Sequence, residues 1–324
     1  MLQASIIIPT YNRFEFLRET LHTIANQHLS PNQYEVIVVD DGSTDNTSEI
    51  KNESFPFDLV YVYQRNQGDA IARNLGAEHS QATYLIFLDD DILIEPHYVE
   101  AMLKAHNNSH QKIVAGQMYL QVRPKTVFSW LYERESLSKV SSEVNFAEVS
   151  SNNMSVHRES HFDIGQMEGL GFSGSNIWCD VDFNYRAYLK GYKFVKAPNA
   201  VCYHRDYTMV TLQKASKRLE KAAYQAVKLF RKYPDLHSQL PMFRDKQTIN
   251  WKQDSARLII KKELRRFASS NSTLWGMQEM AAILEQNLPL DIFLKPLYRW
   301  ILGGHIFRGY HQGLQELEKT SNYV

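Results

Sequence analysis

Residues 84–96 read YLIFLDDDILIEP and join a hydrophobic stretch to three consecutive aspartates. The apolar run at 85–88 has the length and composition of a buried strand. Three adjacent carboxylates at its end, Asp89, Asp90 and Asp91, repel one another and lose hydration, so we expect a cation beside them. Hard oxygen ligands of this kind suit Mg²⁺ or Mn²⁺. A solvated acidic turn is the alternative, and the sequence upstream decides between the two.

Strand-like and helix-like segments alternate in the sequence that leads to this stretch and just beyond it. Such alternation through short connections predicts an α/β fold with a mostly parallel sheet flanked by helices. Sheets of this kind bind ligands beyond the carboxyl ends of their strands. Tyr11, Asp41, Arg65 and the aspartate cluster each follow a predicted strand end. The predicted strands are 4–8, 34–39 and 59–63, and the predicted helices are 14–27, 68–79 and 96–106.

The rest of the chain changes character near residue 210. A strand is predicted at 113–121, residues 125–149 have no clear assignment, and the three glycines of 168–175 predict a mobile loop. A helix at 179–189 carries acids in its first turn, and strands follow at 192–196 and 200–204. Beyond them the pattern is helical and rich in Lys and Arg. The helices predicted there are 211–233, 251–269, 274–287 and a last one around Leu314.

The charge of the chain is unevenly distributed although the net charge is zero. Residues 1–204 carry 16 Lys and Arg against 25 Asp and Glu, whereas residues 205–324 carry 20 against 11. This asymmetry predicts a surface partner for the basic part, and ordinary solvated helices are the alternative. No apolar run approaches the roughly 18 residues that span a bilayer, and a first strand from Ala4 leaves no room for a signal peptide. Cys179 and Cys202 match no metal or redox spacing, so we expect a cytoplasmic protein.

Five short motifs occur in an order and spacing that together resemble the family-2 inverting glycosyltransferases, which have the GT-A nucleotide-sugar fold. The resemblance covers about residues 4–205. It implies a Rossmann-like catalytic domain over 1–210, with a nucleotide-sugar half at about 1–115 and an acceptor half at about 116–210. A basic helical extension then follows at 211–324. The motifs are SIIIPTYNR at 5–13, VVDDGSTD at 38–45, RNQGDAIARN at 65–74, FLDDD at 87–91 and WCDVDFNYRAYLKGY at 178–192.

The resemblance also implies a nucleotide-sugar site at the strand ends. The ring of Tyr11 would lie against the base, and Asp41 would accept a hydrogen bond from it. Either Arg73 or Arg65 would approach the diphosphate or hold the nucleotide loop, and Asp89 would lie near the ribose. The residues expected to bind the nucleotide sugar are Pro9, Thr10, Tyr11, Asn12, Arg13, Asp41, Arg65, Gly68, Arg73, Asp89 and Asp90.

A divalent ion, Mn²⁺ or Mg²⁺, is implied at the same place. Asp91 is the expected ligand and Asp90 a close second. Because alternate strand positions share a face, Asp89 and Asp91 are expected to point the same way, and Asp89 is also a candidate ligand. His204 follows a predicted strand and is a further candidate ligand, with a packed or surface histidine as the alternative.

The base that inversion requires is expected at the start of the helix 179–189. Family members usually carry the acidic pair Glu-Asp there, and this chain has Cys179-Asp180 instead, so the first acid is absent. Asp180 is the better-placed candidate for the catalytic base, and Asp182 is the alternative.

The resemblance implies a metal-dependent inverting hexosyltransferase that moves a sugar from a nucleotide-diphosphate donor to an acceptor hydroxyl of a glycan, lipid-linked or cell-surface polysaccharide precursor. A UDP-sugar is the favoured donor, with GDP- or dTDP-sugars as alternatives. The missing acid favours a second hypothesis, a nucleotide-sugar or glycan-binding module without catalysis. A nucleotidyltransferase is the third, and the lack of an early Gly-rich triphosphate loop argues against it.

The basic extension predicts a peripheral contact with the inner face of an anionic membrane. Nucleic acid is not an expected partner, because the sheet-bearing part is acidic. The residues expected to contact the membrane are Lys214, Lys217, Arg218, Lys221, Lys261, Lys262, Arg265 and Arg266.

Overall fold

The computed structural model describes residues 2–121, 125–136, 143–169, 177–205, 209–287 and 290–321. The predicted glycine-rich loop at 168–175 falls largely outside these residues. The strands are β1 Ala4–Thr10, β2 Tyr34–Asp40, β3 Asp58–Tyr63, β4 Tyr84–Leu88, β5 Ile92–Ile94, β6 Lys112–Leu120, β7 Asn153–His157 and β8 Lys193–His204. The helices are α1 Phe14–Ala25, α2 Asp69–His79, α3 Tyr98–His106, α4 Val127–Ser136, α5 Arg158–Ile164, α6 Cys179–Leu189, α7 Leu212–Lys232, α8 Leu236–Gln239, α9 Ala256–Ala268, α10 Asn271–Asn287 and α11 Asp291–Ser321.

Eight strands form one mixed sheet in the order β3-β2-β1-β4-β7-β6-β8-β5. The pairs β1–β2, β2–β3, β1–β4 and β6–β8 are parallel, whereas β4–β7, β6–β7 and β5–β8 are antiparallel. The predicted α/β architecture, a mostly parallel sheet flanked by helices, is confirmed. The parallel neighbours β1, β2 and β4 place their carboxyl ends along one edge, where the loops of the candidate site begin.

The strands at the centre of the sheet are apolar because both faces are covered. Every residue of β1 and of β2 is buried. Leu17, Leu21 and Ile24 recur at helical spacing on the buried side of α1. On α2, a Cβ added at Gly76 would collide with the side chain of Ile7, so this glycine lets the helix backbone approach β1 closely. The site therefore stands on tightly packed elements.

The chain clusters into two compact units, and all described residues after Arg205 belong to the second. The described part of the first unit contains the sheet and helices α1–α3, α5 and α6, while that of the second contains most of α4 and helices α7–α11. In the second unit, a Cβ on Gly309 of α11 would run into the backbone carbonyl of Glu220 on α7. Among the described residues, no helix has the combined length and hydrophobicity that crossing a bilayer requires.

The last helix is much longer than the sequence predicts. The sequence predicts a final helix around Leu314, whereas α11 runs from Asp291 to Ser321 and contains Pro296. Pro296 costs the helix one backbone hydrogen bond near its start, which a helix of this length tolerates.

Candidate active site

The carboxyl ends of β1, β2 and β4 surround a cavity of about 440 Å³ in the first unit. Nine of the predicted nucleotide-sugar residues line it. The structure adds Asn66 and Asp69, which the sequence reasoning missed, although both follow β3 in the way that the predicted residues follow their strands. The lining residues are Pro9, Thr10, Tyr11, Arg13, Asp41, Asn66, Gly68, Asp69, Arg73, Asp89 and Asp90.

Tyr11 and Asn12 follow β1 and have different surroundings. The side chain of Tyr11 is 46% exposed, so its ring is available to an incoming planar group. Asn12 does not line the cavity. It lies in the left-handed region at φ 53°, and its Oδ1 accepts hydrogen bonds from the backbone N–H groups of Thr44 (2.7 Å) and Asp45 (3.3 Å). Asn12 therefore holds the loop after β2 against the end of β1.

Asp41 is buried and organises the loop that leads into α2. Its Oδ1 accepts from Gln64 Nε2 at 2.6 Å and from the backbone N–H of Gln67 at 2.8 Å. Its Oδ2 accepts from the N–H of Gly68 at 2.8 Å, and Gly68 has a φ of 91° that suits glycine. Arg65, in the same loop, is exposed and does not line the cavity.

Arg73 is a buried cation beside the first aspartate of the cluster. Its guanidinium pairs with Asp69, one turn earlier on α2, and with Asp89. Burial raises the pKa of Asp89 above its usual value, while Arg73 opposes this shift. Arg73 is thus held between two carboxylates at the wall of the cavity.

Arg13 bridges the other two aspartates. Its Nη1 lies 3.0 Å from Asp90 Oδ1, and its Nη2 donates to Asp91 Oδ2 at 2.6 Å. Asp90 also accepts from Thr10 Oγ1 at 2.8 Å. Burial raises the pKa of Asp90 to about 7 against the effect of Arg13. Burial would also raise the pKa of Asp91, but His204 and Arg13 together lower it to about 2.

Asp91 and His204 meet where β5 pairs with β8. His204 Nε2 lies 3.4 Å from Asp91 Oδ1, and this buried oxygen accepts no hydrogen bond from any described residue. A buried carboxylate oxygen without a donor, next to an imidazole nitrogen, suits a divalent ion.

The predicted metal set of Asp89, Asp91 and His204 is not assembled as one cluster. Among the described residues, the group of three whose ligand atoms all lie within 4.8 Å of one another is a different one, formed by His110, His157 and Glu159. Asp89 is instead tied to Arg73. The geometry therefore supports Asp91 and His204 more strongly than Asp89.

The two candidate bases differ in accessibility. Asp180 is half-buried and accepts from Ser150 Oγ at 2.9 Å. Asp182 is fully buried and pairs with Arg186 at 2.8 Å. Neither lines the cavity described above. Because a base must reach an acceptor hydroxyl, the geometry favours Asp180.

Trp178 precedes α6 in the left-handed region, with φ 75° and ψ 8°. This conformation is strained for a residue other than glycine, and such strain persists where the surrounding structure fixes the backbone. The next residue, Cys179, is buried, and burial together with the carboxylates of Asp180 and Asp69 raises the pKa of its thiol.

Comparison with known families gives one match, to the model described as "Glycosyl transferase family 2", over residues 5–170. A "Validoxylamine A glucosyltransferase" of Streptomyces hygroscopicus subsp. limoneus is 41% identical over 119 residues, which are 36% of this chain and 26% of that protein. The "Poly(ribitol-phosphate) beta-N-acetylglucosaminyltransferase TarP" of Staphylococcus aureus is 29% identical over 142 residues, 43% of either chain. The chain thus spans less than half the length of these relatives.

Solved structures match over almost the whole chain. A mannosyltransferase of Pyrobaculum calidifontis, solved with GDP-Man and Mn²⁺, has a TM-score of 0.60 at 17% identity and covers 97% of this chain and 87% of that one. TarS 1–349 of S. aureus, solved with UDP-GlcNAc, has a TM-score of 0.52 at 16% identity, with coverages of 96% and 92%. At such identities the likeness establishes the fold.

Proposed function

Since this chain belongs to glycosyl transferase family 2 and has the GT-A fold expected from its motifs, we propose that it is a metal-dependent inverting hexosyltransferase. It would move a sugar from a nucleoside-diphosphate donor to an acceptor hydroxyl. The observation that carries the proposal is the cavity at the strand ends, where Tyr11, Asp41, Asp89 and Asp90 converge, with Asp91 joined to Asp90 through Arg13. Similar structures were solved with UDP, UDP-GlcNAc and GDP-Man, which supports a nucleotide-sugar donor.

The chain's own side chains would position the donor. The exposed ring of Tyr11 would stack on the base, and Asp41 would accept a hydrogen bond from it in addition to those from its loop. Arg73 would hold Asp89 toward the ribose rather than bind phosphate itself, because its guanidinium is already engaged by two carboxylates.

The divalent ion, Mn²⁺ or Mg²⁺, would be held by Asp91 and His204, with Asp90 as the next nearest candidate. When bound, it supplies positive charge that stabilises the nucleoside-diphosphate leaving group as the glycosidic bond breaks. Asp91 suits this role because its buried Oδ1 lies 3.4 Å from His204 Nε2 and accepts no hydrogen bond from a described residue. Arg13 would restrain the carboxylates of Asp90 and Asp91 while the donor binds.

Asp180 would take the proton of the acceptor hydroxyl as that oxygen attacks the sugar from the side opposite to the leaving group. Its hydrogen bond from Ser150 fixes the carboxylate while its partial exposure leaves it accessible. Arg186 neutralises the buried Asp182, which makes Asp182 the weaker alternative.

The donor test is a calorimetric titration of UDP and GDP with and without Mn²⁺. We expect metal-dependent binding of one nucleotide, with UDP favoured, and loss of that binding in Asp91→Ala. Binding that ignores the metal would contradict the role of Asp91. Failure of both nucleotides to bind would contradict the proposed donor class.

The catalytic test compares Asp180→Asn with Asp182→Asn. Loss of the base should lower kcat by about 10²–10⁴-fold while nucleotide binding is retained. Asp182→Asn tests the alternative base from the same turn of α6, and the melting temperature of each variant is measured so that unfolding is not mistaken for loss of the base. Equal activity of Asp180→Asn and the wild type would exclude Asp180 as the base. The anomeric configuration of the product, followed by NMR, tests inversion.

A nucleotide-sugar-binding module without catalysis is the second candidate, and Cys179 favours it. Cys179 occupies the position where the family usually carries an acid, and it is buried. This candidate predicts donor binding with no turnover, and an Asp180→Asn variant that binds and behaves as the wild type does.

For the acceptor we propose a glycan or a lipid-linked precursor, with the enzyme in the cytoplasm at the inner face of the membrane. The basic residues Lys214, Lys217, Arg218 and Lys221 on α7 are exposed, as this contact requires. Two of the predicted contact residues are corrected, because Lys262 and Arg265 are buried and form ion pairs.

A further inference from the structure

The helix α9, Ala256–Ala268, has its charged and apolar sides exchanged relative to an ordinary surface helix. Ile260, Leu264 and Phe267 recur at helical spacing and are 61%, 50% and 69% exposed. Lys262 and Arg265, on the opposite side of the helix, are buried. Surface helices normally turn their apolar stripe toward the core, so this orientation needs an explanation.

The buried side of α9 is fixed by specific partners of Lys262. Its ammonium group donates to Asp254 Oδ2 at 2.5 Å and to the carbonyl oxygen of Thr248 at 2.9 Å. A buried ammonium with a counterion and a carbonyl acceptor satisfies the general requirement for burying a charge. These two partners therefore offset the cost of burying the Lys262 ammonium on the inner side of α9.

Arg265 fixes the orientation a second time. Its Nε donates to Asp245 Oδ2 at 3.1 Å, and its guanidinium lies 4.3 Å from the centre of the Trp300 ring. A Cβ added at Gly303 would collide with this guanidinium, so the glycine provides the room that it occupies. The inward orientation of Arg265 thus depends on α11, which provides the space, as well as on α9.

The exposed apolar stripe is bordered by positive charge and by tryptophan. Arg257, Lys261 and Arg266 of α9 are exposed and outnumber the exposed acid of this helix, Glu263, which lies 3.9 Å from Arg266. Trp251 and Trp275, on either side of the helix in sequence, are exposed too. An apolar stripe with basic residues at its edges and aromatic residues nearby is typical of helices that lie in a membrane interface.

We propose that α9 lies in the interface of an anionic membrane leaflet. Ile260, Leu264 and Phe267 enter the boundary between headgroups and acyl chains, and Arg257 and Arg266 contact the phosphates. This deepens the proposed membrane contact by replacing a purely electrostatic association with apolar insertion. A second copy of the chain is the less favourable occupant, because two such faces would bring their cations together, whereas anionic lipid neutralises them.

The test is flotation of the full chain with phosphatidylcholine vesicles that contain or lack phosphatidylglycerol. We expect the wild type to float with the anionic vesicles and the double variant Leu264→Ser/Phe267→Ser to bind them at least tenfold more weakly. Leu189→Ser is the matched control, because Leu189 is 63% exposed on α6 in the first unit and should bind as the wild type does. Arg266→Gln should weaken binding and reduce its salt dependence.

Two results would overturn the proposal. One is a wild type that does not float with anionic vesicles at low salt. The other is a double variant that floats as the wild type does. Light scattering of both proteins adds a further outcome: conversion of a dimer to a monomer in the double variant, without any change in flotation, would assign the stripe to a second copy. Flotation requires neither donor nor acceptor, so its failure is distinguishable from failure of the proposed reaction.

Discussion

Three neighbouring aspartates have three different environments. Asp89 pairs with Arg73, Asp90 is shared by Thr10 and Arg13, and Asp91 lies between Arg13 and His204. As a result the pKa of Asp90 is raised to about 7 while that of Asp91 is lowered to about 2. The sequence predicts the cluster and its position, but not this division, because the partners come from residues far away in the chain.

Asn12 allows a test of how much the site depends on the loop after β2. Asn12→Ala removes the acceptor for the N–H groups of Thr44 and Asp45 and places alanine at φ 53°. We expect the free energy of unfolding to fall by about 1–3 kcal/mol and nucleotide affinity to decrease. Urea denaturation and calorimetry measure the two effects.

Asn12→Gly is the control for the backbone, since glycine adopts the left-handed region without strain. Asn12→Gly should lose the hydrogen bonds of the side chain but still adopt the left-handed backbone conformation without strain. It should therefore be more stable than Asn12→Ala. Equal stability of all three proteins would show that neither contribution matters.

At the scale of elements, two glycine-to-alanine variants separate the effect of helix packing on stability from the effect of helix propensity. Gly309 of α11 faces the Glu220 carbonyl on α7, whereas a Cβ at Gly276 of α10 would meet no atom within 4 Å. We expect Gly309→Ala to lower the free energy of unfolding by about 1–3 kcal/mol. Gly276→Ala should raise it by about 0.5–1 kcal/mol. Thermal and chemical denaturation check both, and a stabilising Gly309→Ala would contradict the close approach of the two helices.

Glu220 predicts how the α7–α11 pair responds to acid. Burial would raise its pKa, but His305 at 2.6 Å and Arg308 lower it to about 2. A carboxyl whose pKa is lower in the folded state stabilises the protein above its unfolded pKa, near 4.5, and this contribution is lost as the pH falls toward 2. At pH 7 we expect Glu220→Gln to be less stable by about 1 kcal/mol, after allowance for solvent screening.

The measurement is urea denaturation of Glu220→Gln and of the wild type between pH 7 and pH 3. The difference between the two proteins should shrink as the pH is lowered. A difference that stays constant over this range would assign the effect to packing rather than to charge.

At the scale of the whole molecule, local patterns predicted the strands β1–β4, β6 and β8 but not the short strand β5. Runs such as 4–8 and 34–39 are apolar and β-branched, so their burial is readable without knowing their neighbours. The pairing of β5 with β8 cannot be read from the sequence, because a three-residue strand finds its partner only through tertiary contacts.

Much of the candidate site follows from the same logic. Of the residues expected from their positions after strand ends, Tyr11, Asp41, Asp89 and Asp90 line the cavity, whereas Arg65 and Asp91 do not. The sequence does not show that Lys262 and Arg265 point inward. Their orientation depends on Asp254, Asp245 and a glycine on another helix.

The pairing of β5 with β8 has a consequence for synthesis of the chain. Ile92 pairs with His204, and the N–H of Arg205 donates to the carbonyl of Asp91, so the acidic cluster is secured by the last strand of its unit. At typical translation rates the ribosome needs roughly 5–20 s to reach that strand after completing β5. Until then the nascent chain holds β1, β2 and β4 but lacks the histidine beside Asp91, so the proposed nucleotide-sugar site is complete only late in translation.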